Sequence, residues 1–236
     1  MKRFWQDVAV APVHGGWQVV LDGRPLRTQG GAQQVVPSGA LAEMLAAEWR
    51  AQPEEIDPHG FPLRDLTDFA LDKVQAEHAG MVERLLRFAE TDTLCYRADP
   101  DEPLFRRQLD LWEPLLTACE ARLAIRFERV SGVGHRTQPA ATIAALRQQL
   151  ENADVFTIAA LTTLASLASS LVVALAALEP GADADALFAA SNAEEDWQAE
   201  QWGWDYEAER VRELRLAAFR MAVGFADAAR VRTSLA

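Results

Sequence analysis

The chain has 236 residues, of which 50% are hydrophobic, so it can bury a sizeable core in one large domain or two small ones. Its formal net charge of −12 and pI near 4.8 argue against nucleic acid or an anionic membrane as the main partner, because phosphates attract Lys and Arg. An acidic surface instead favours basic surfaces of other proteins, or serves solubility alone.

Two further features of the sequence concern the cellular compartment. The two cysteines, Cys95 and Cys119, belong to no Cys-x-x-Cys or Cys/His cluster, and both are expected to be buried thiols in a reducing compartment. The N-terminus lacks the apolar core of a signal peptide. We therefore expect the protein to be cytoplasmic.

The first 36 residues predict a small antiparallel β module. Residues 8–10 and 17–21 have strand character, and the second segment leads into Asp22-Gly23, a pair typical of a tight hairpin turn. Residues 26–28 are expected to form the returning strand, and residues 33–36 a further strand. Strands this few and short exclude a large sheet.

A helix should follow the β module. Pro37-Ser38 opens it, and Leu41, Leu45 and Trp49 recur at the spacing of a buried helical face that ends near Gln52. Three prolines within 53–62 then break regular structure and indicate a linker. Further helices are predicted over 63–88, 103–123, 139–150, 155–178, 185–190 and 206–229. Residues 126–130 alternate and should form one strand or an extended connector.

These elements predict an α+β fold. A small N-terminal antiparallel β domain with one helix occupies residues 1–57, and a larger all-helical C-terminal domain occupies residues 58–236. Residues 155–178 carry no charge over a length that could span a membrane, but Ala, Thr and Ser dilute their apolarity, and the flanks are acidic where a span would carry Lys or Arg. We expect a central helix of small residues and no membrane insertion.

Residues 191–205 hold three of the seven Trp residues and five carboxylates. Ser191 and Glu194 fit a capping box that would start a helix, and Gly203 supplies a residue that would end it. Asp205 can cap a second helix. The chain should therefore place its densest acidic and aromatic cluster on a short helix followed directly by another.

Two interpretations of this short helix are open. Asp196 and Glu200 lie one turn apart and repel each other unless a cation sits opposite. Trp197 and Trp202 could pack into the core while the acids form a solvated face. Alternatively, the aromatics and acids form a docking surface for a basic partner.

The sequence contains little that indicates catalysis. The four histidines are scattered, and Gly132 and Gly134 form only a fragment of a phosphate-binding loop. The carboxylates that could perform acid–base chemistry are Glu194, Asp196 and Glu200, with Glu195 between them. A binding protein without cofactor or metal is therefore the first hypothesis, and a hydrolase or lyase that uses these carboxylates on an unknown substrate is the second.

Seven motifs, running in order from the N-terminus to beyond residue 200, together resemble one family. They are Arg3-Phe4-Trp5, Gly15-Gly16-Trp17, Leu21-Asp22-Gly23-Arg24-Pro25, Glu48-Trp49-Arg50-Ala51-Gln52, Thr91-Asp92-Thr93-Leu94-Cys95-Tyr96-Arg97-Ala98, Trp112-Glu113-Pro114-Leu115-Leu116 and Glu195-Asp196-Trp197-Gln198-Ala199-Glu200-Gln201-Trp202-Gly203. The family is the assembly chaperone of the ATP synthase F1 sector that binds the free α subunit, found in mitochondria and in some bacteria.

This resemblance implies a small β domain followed by a helical domain, and a protein that is not an enzyme. The chaperone would hold the newly made α subunit, shield the surface that later faces the β subunit, and leave as the hexamer assembles. Such shielding is needed because exposed interface surface aggregates. The resemblance also implies the bacterial cytoplasm, with the mitochondrial matrix as the location of eukaryotic members, and we expect a monomer.

The resemblance further implies a site in the Trp-Gln-x-Glu-Gln-Trp-Gly motif. Its important acidic position carries over to Glu200, with Asp196 as the second candidate. Trp197 and Trp202 would support or contact the partner, and Glu195 would belong to the same surface. Contact of the acid with the α subunit and internal bracing of the helix pair are both open.

Overall fold

The computed structural model of the chain describes residues 1–132, 134–203 and 205–230. A small N-terminal antiparallel sheet is followed by ten α-helices in this part of the chain. The predicted α+β class is therefore confirmed. Among the described residues, no helix is both long enough and apolar enough to cross a membrane.

The sheet is built on a hairpin. Strands β1 (Val8–Val13) and β2 (Gly16–Leu21) pair antiparallel, with Val8 opposite Leu21. Strand β3 (Arg24–Pro25) returns along β2 after a turn in which Asp22 and Gly23 have φ of 49° and 77°. Two successive residues with positive φ match the twist of a two-residue hairpin, as the Asp-Gly pair predicts. Strand β4 (Val35–Val36) also pairs with β2.

The prediction of a returning strand over 26–28 is wrong. The strand is shorter and earlier, at Arg24–Pro25, and Arg27 forms only an isolated bridge with Gln33. The cause is a tight loop, in which the Thr28 N–H donates to Ala32 O and the Gly31 N–H donates to Thr28 O. This loop turns the chain before a longer strand can form.

Helix α1 (Gly39–Ala51) confirms the helix expected after the β module. The Ser38 side chain accepts a hydrogen bond from the Leu41 N–H at 3.0 Å, which caps the first turn. Leu41, Leu45 and Trp49 are buried, as their spacing predicts. Trp49 lies between two other aromatic rings, with centroid distances of 4.9 Å to Trp5 and 4.6 Å to Phe61.

The single helix predicted over 63–88 is wrong, because the chain forms two helices there. Helix α2 (Pro62–Asp68) runs into a π-helical turn, Phe69–Val74, and α3 (His78–Glu90) follows. The Gln75 N–H reaches back five residues to Ala70 O, which widens the backbone at this point. The extra residue in this turn rotates the apolar positions that follow it around the helix axis. A prediction that assumes a constant helical period does not include such a rotation.

Helix α4 (Pro103–Leu123) has the predicted bounds, and α5 (Ala140–Glu151) lies within one residue of its prediction. The extended segment before α5 ends in β6 (Val130–Ser131), which pairs in parallel with β5 (Tyr96–Arg97). Arg129 is bound through its guanidinium group to Glu113 and Glu120 on α4. Those ion pairs hold the connector against the helix.

The continuous helix predicted over 155–178 is also wrong. It is broken into α6 (Val155–Ala168) and α7 (Leu171–Ala177), with Ser169 at φ 50° between them. The Ser170 side chain caps α7 by accepting from the Val173 N–H at 3.0 Å. The buried Asp92 carboxylate accepts from the Val172 N–H at 2.9 Å, so the break is stabilised by two polar side chains.

Three helices complete the described chain: α8 (Ala184–Ser191), α9 (Ala193–Trp202) and α10 (Tyr206–Ala229). The capping box predicted for α9 is wrong, because the Ser191 hydroxyl donates to Phe188 O, in the last turn of α8. The predicted boundaries at Gly203 and Asp205 are confirmed: Gly203 has φ 85° after α9, and Asp205 accepts from the Glu207 N–H at 2.9 Å.

The chain divides into two compact units. One comprises residues 1–78, 154–160 and the described residues from 224 on; the other comprises residues 79–153 and 161–223. The N-terminal sheet and α1 belong to the first unit, whereas α4, α8 and α9 belong to the second. The domain boundary expected between residues 57 and 58 stays a prediction, which limited proteolysis can test.

Candidate partner-binding site

Helix α9 presents its carboxylates to arginines of two other helices of the second unit. Glu200 Oε2 accepts from Arg107 Nη1 on α4 at 2.5 Å. Asp196 accepts two hydrogen bonds from Arg212 on α10, at 2.8 and 2.7 Å. The helix is therefore held on one side by α4 and on the other by α10.

The expected repulsion between Asp196 and Glu200 is offset because each faces its own cation. The hydrogen bond from Arg107 lowers the pKa of Glu200, and this effect exceeds the opposite effect of burial. The same arginine lies against an aromatic ring, with its guanidinium carbon 5.8 Å from the Trp197 centroid. Glu200 is thus a charged group that remains half exposed while one of its oxygens is bound.

Asp196 and Glu195 lie deeper in the unit than Glu200. Side-chain exposure is 17% for Asp196 and 21% for Arg212, so this ion pair is largely shielded from water. Glu195 accepts from Arg215 at 3.3 Å, and Arg215 also donates to Leu167 O at 2.9 Å. These two ion pairs hold α9 against α10.

Glu194 has a different environment from its neighbours. Its Oε1 accepts from Gln108 Nε2 at 2.6 Å, and the fully buried Gln108 accepts in turn from the Ala98 N–H at 2.8 Å. Desolvation raises the pKa of Glu194 more than the Gln108 hydrogen bond lowers it. This carboxylate joins α9 to α4 and does not cap its own helix.

The four carboxylates of α9 do not converge on one point. Glu194 faces an amide, while Glu195, Asp196 and Glu200 face three different arginines. Within the part of the chain that the structure describes, no group of three His, Cys, Asp or Glu side chains could hold a metal ion. Both cysteines are buried, and burial raises the pKa of Cys95 to about 12 and that of Cys119 to about 11.

The end of α9 and the first half of α10 expose large apolar side chains. Trp202 is 81% exposed and Tyr206 80%, and Leu214 and Val211 are also exposed. Two of these four residues are aromatic and two are aliphatic. The interpretation that Trp202 packs into the core is therefore wrong, whereas Trp197 is half-buried beside Arg107.

Sequence reasoning found the acids and Trp202 but missed their surroundings. Arg107 is 93 residues from Glu200 in the chain, so no local spacing could pair them. Tyr206 and Leu214 had a weak signal, because they lie off the helical stripe that buries Phe219. Apolar residues outside the core stripe of a long helix predict exposed apolar surface.

Fold and surface together are those of an α+β protein with a helix, α9, that is braced by ion pairs and ends in an exposed Trp. The sequence model of one family, described as ATP12 chaperone protein, matches residues 2–120, about half of the chain. This chain therefore belongs to the ATP12 chaperone family, which confirms the resemblance. It is a chaperone of ATP synthase assembly.

Relatives and solved structures agree with this assignment. Protein atp12, mitochondrial, of Schizosaccharomyces pombe is 27% identical over 215 residues, covering 86% of this chain and 74% of that protein. The crystal structure of Atp12 from Paracoccus denitrificans superposes with a TM-score of 0.92 at 37% identity, covering 97% of this chain and 98% of that one. An Asp-to-Lys mutant of the Paracoccus protein gives the same values. A protein of Agrobacterium tumefaciens is 40% identical with a TM-score of 0.92, covering 97% of this chain and 86% of that one.

Proposed function

We propose that this protein binds the unassembled α subunit of F1 and shields its β-facing surface until the hexamer forms. The observation that carries the proposal is the exposed Trp202, two residues after the ion-paired Glu200 on α9, in a chain that belongs to a chaperone family. Exposed Trp and Tyr side chains are the residue types that supply most binding energy at protein interfaces. Charged groups at their edge add orientation and exclude wrong partners.

In this proposal the residues of α9 have two roles. Glu200 and Trp202 contact the α subunit, because both side chains are exposed. Trp197, Asp196 and Glu195 hold the helix in place through their arginine contacts. The surface is exposed in the free chaperone and depends partly on ion pairs. Such a surface suits a transient complex, in which the β subunit must later displace the chaperone.

The proposal does not involve catalysis. The separated carboxylates support a binding role, and we expect no cofactor and no hydrolase or lyase activity. A bacterial cytoplasmic location and a monomeric free state also stay predictions.

Co-expression with the α subunit of the same cell, in the absence of the β subunit, tests the proposed function. Wild-type protein should keep the α subunit soluble and co-purify with it, whereas Glu200→Lys should do neither. Glu83→Lys is the matched control, since Glu83 is also an exposed acid of the second unit paired with an arginine, Arg147. Failure of the wild-type protein to retain the α subunit would refute the proposal. Equal loss in both variants would refute the site.

A further inference from the structure

A groove of about 440 Å³ lies between α4 and α8 in the second unit. Its walls are mainly apolar, and Leu111, Pro114 and Leu115 line the α4 side. Ala186 and Leu187 line the α8 side. Leu111 is 38% exposed, so apolar surface in this groove is in contact with water in the free chain.

The groove is a preformed feature of the unit. At its base the fully buried Trp112 donates from Nε1 to Ala190 O at 2.7 Å, which joins α4 to α8. The Asp183 carboxylate accepts from the N–H groups of Asp185 and Ala186, both at 3.0 Å, and fixes the start of α8. Because these bonds already fix the walls, little conformational entropy is lost in ordering them when a ligand binds.

The rim of the groove is acidic. Asp110, Glu179 and Asp183 line it, and within the described ranges only Glu179 among them is paired with an arginine, Arg122. A rim of this sign, on a chain with a net charge of −12, is complementary to Lys or Arg. Apolar walls with an acidic rim suit an apolar segment that carries a neighbouring basic residue.

The groove also continues the proposed partner-binding site. Arg107 and Gln108, which contact α9, lie one turn before Leu111 on the same helix. The other wall, α8, is followed after Asn192 by α9 itself. One extended ligand can therefore contact both places.

We propose that this groove binds an apolar segment of the unassembled α subunit that is flanked by Lys or Arg. The inference rests on the proposed function. It adds the groove to the proposed binding surface, as the part that binds an exposed apolar segment. Leu111→Lys should abolish this binding, because the new side chain fills the groove with charge and repels the basic flank of the segment. Leu109→Lys is the matched control: Leu109 is 39% exposed on the same helix but does not line the groove.

An array of overlapping peptides that cover the α subunit, probed with the labelled full-length chaperone, tests the inference. Wild-type chaperone should bind peptides that combine an apolar run with Lys or Arg. Leu111→Lys should reduce that binding at least tenfold, while Leu109→Lys retains it. Ala186→Arg, at an exposed position on the opposite wall, should repeat the loss, and unfolding curves should verify that each variant is folded.

The outcomes separate the two proposals. If Leu111→Lys and Ala186→Arg bind peptides and rescue the α subunit as wild type does, the groove assignment is wrong and the proposed function stands. Wild-type rescue of the α subunit without binding to apolar–basic peptides would also refute the groove alone. If wild type neither rescues the α subunit nor binds its peptides, both proposals fall.

Discussion

Arg107 on α4 donates to Glu200 on α9 at 2.5 Å while its guanidinium carbon lies 5.8 Å from the centroid of Trp197. One arginine therefore contacts both the acid and one aromatic of the candidate site. The question of whether Glu200 contacts the α subunit or braces the helix pair can be answered with this pair of residues.

Exchange of the two charges separates the roles of Glu200. Arg107→Glu combined with Glu200→Arg restores an ion pair between α4 and α9 but reverses the charge that faces the partner. We expect the double variant to unfold like wild type and to leave the α subunit insoluble, because the contact requires an acid on α9. The measurement is co-purified α subunit together with a urea unfolding curve. Recovery of wild-type rescue would instead assign Glu200 a bracing role.

Asp196 should affect stability more than Glu200 does. Its ion pair with Arg212 is bidentate and largely shielded, so Asp196→Ala removes two charge-assisted hydrogen bonds from a site that water reaches poorly. We expect a decrease of about 1–3 kcal/mol in the free energy of unfolding, measured in urea. Arg210→Ala, which breaks the exposed pair with Glu207, should change it by no more than about 0.5 kcal/mol. Equal effects would contradict the bracing role.

Trp202→Ala should weaken binding without affecting the fold. The side chain is 81% exposed, so its removal should change the free energy of unfolding by about 0.5 kcal/mol or less. Because central Trp residues often contribute about 2 kcal/mol or more to an interface, affinity for the α subunit should fall at least tenfold. Phe4→Ala, at a 68% exposed aromatic of the first unit, is the control. Similar loss in both variants would indicate nonspecific hydrophobic capture.

Local chemistry in the sequence predicted several boundaries of the fold correctly. The Asp22-Gly23 turn, the Ser38 cap and the stop at Gly203 each depend on a residue and its immediate neighbours. The bounds of α4 follow from Pro103 in the first turn and a regular apolar face. Such features need no knowledge of distant contacts.

Two of the errors occurred where a distant residue contributes to the local structure. The break between α6 and α7 is stabilised by Asp92, which lies 80 residues before Val172. The capping box failed because Gln108, 86 residues away, binds Glu194. The arginines of the candidate site were missed for the same reason, since pattern and propensity carry no information about partners across the fold.

Asp92 also makes stability depend on pH. The residue is fully buried and accepts from the N–H groups of Leu94 and Val172, at 3.1 and 2.9 Å. Desolvation raises its pKa from 3.8 to about 6, although the hydrogen bonds from Val172, Ser170 and Leu94 act in the opposite direction. The folded protein therefore holds this proton at pH values where the unfolded chain has released it.

The direction of the pH effect follows from that difference. The contribution of Asp92 to the free energy of unfolding is fully present below pH 3.8. It is lost as the pH rises to about 6, at about 1.4 kcal/mol per pH unit. Asp92→Asn removes this titration. The difference in the free energy of unfolding, wild type minus variant, should therefore fall by about 1 kcal/mol between pH 5 and pH 7.5. Urea unfolding at the two pH values measures it, and the subtraction cancels titrations common to both proteins. A difference that stays constant, or rises with pH, would show that the buried carboxylate is ionised throughout and that its hydrogen-bond donors, Leu171 N–H among them, outweigh desolvation.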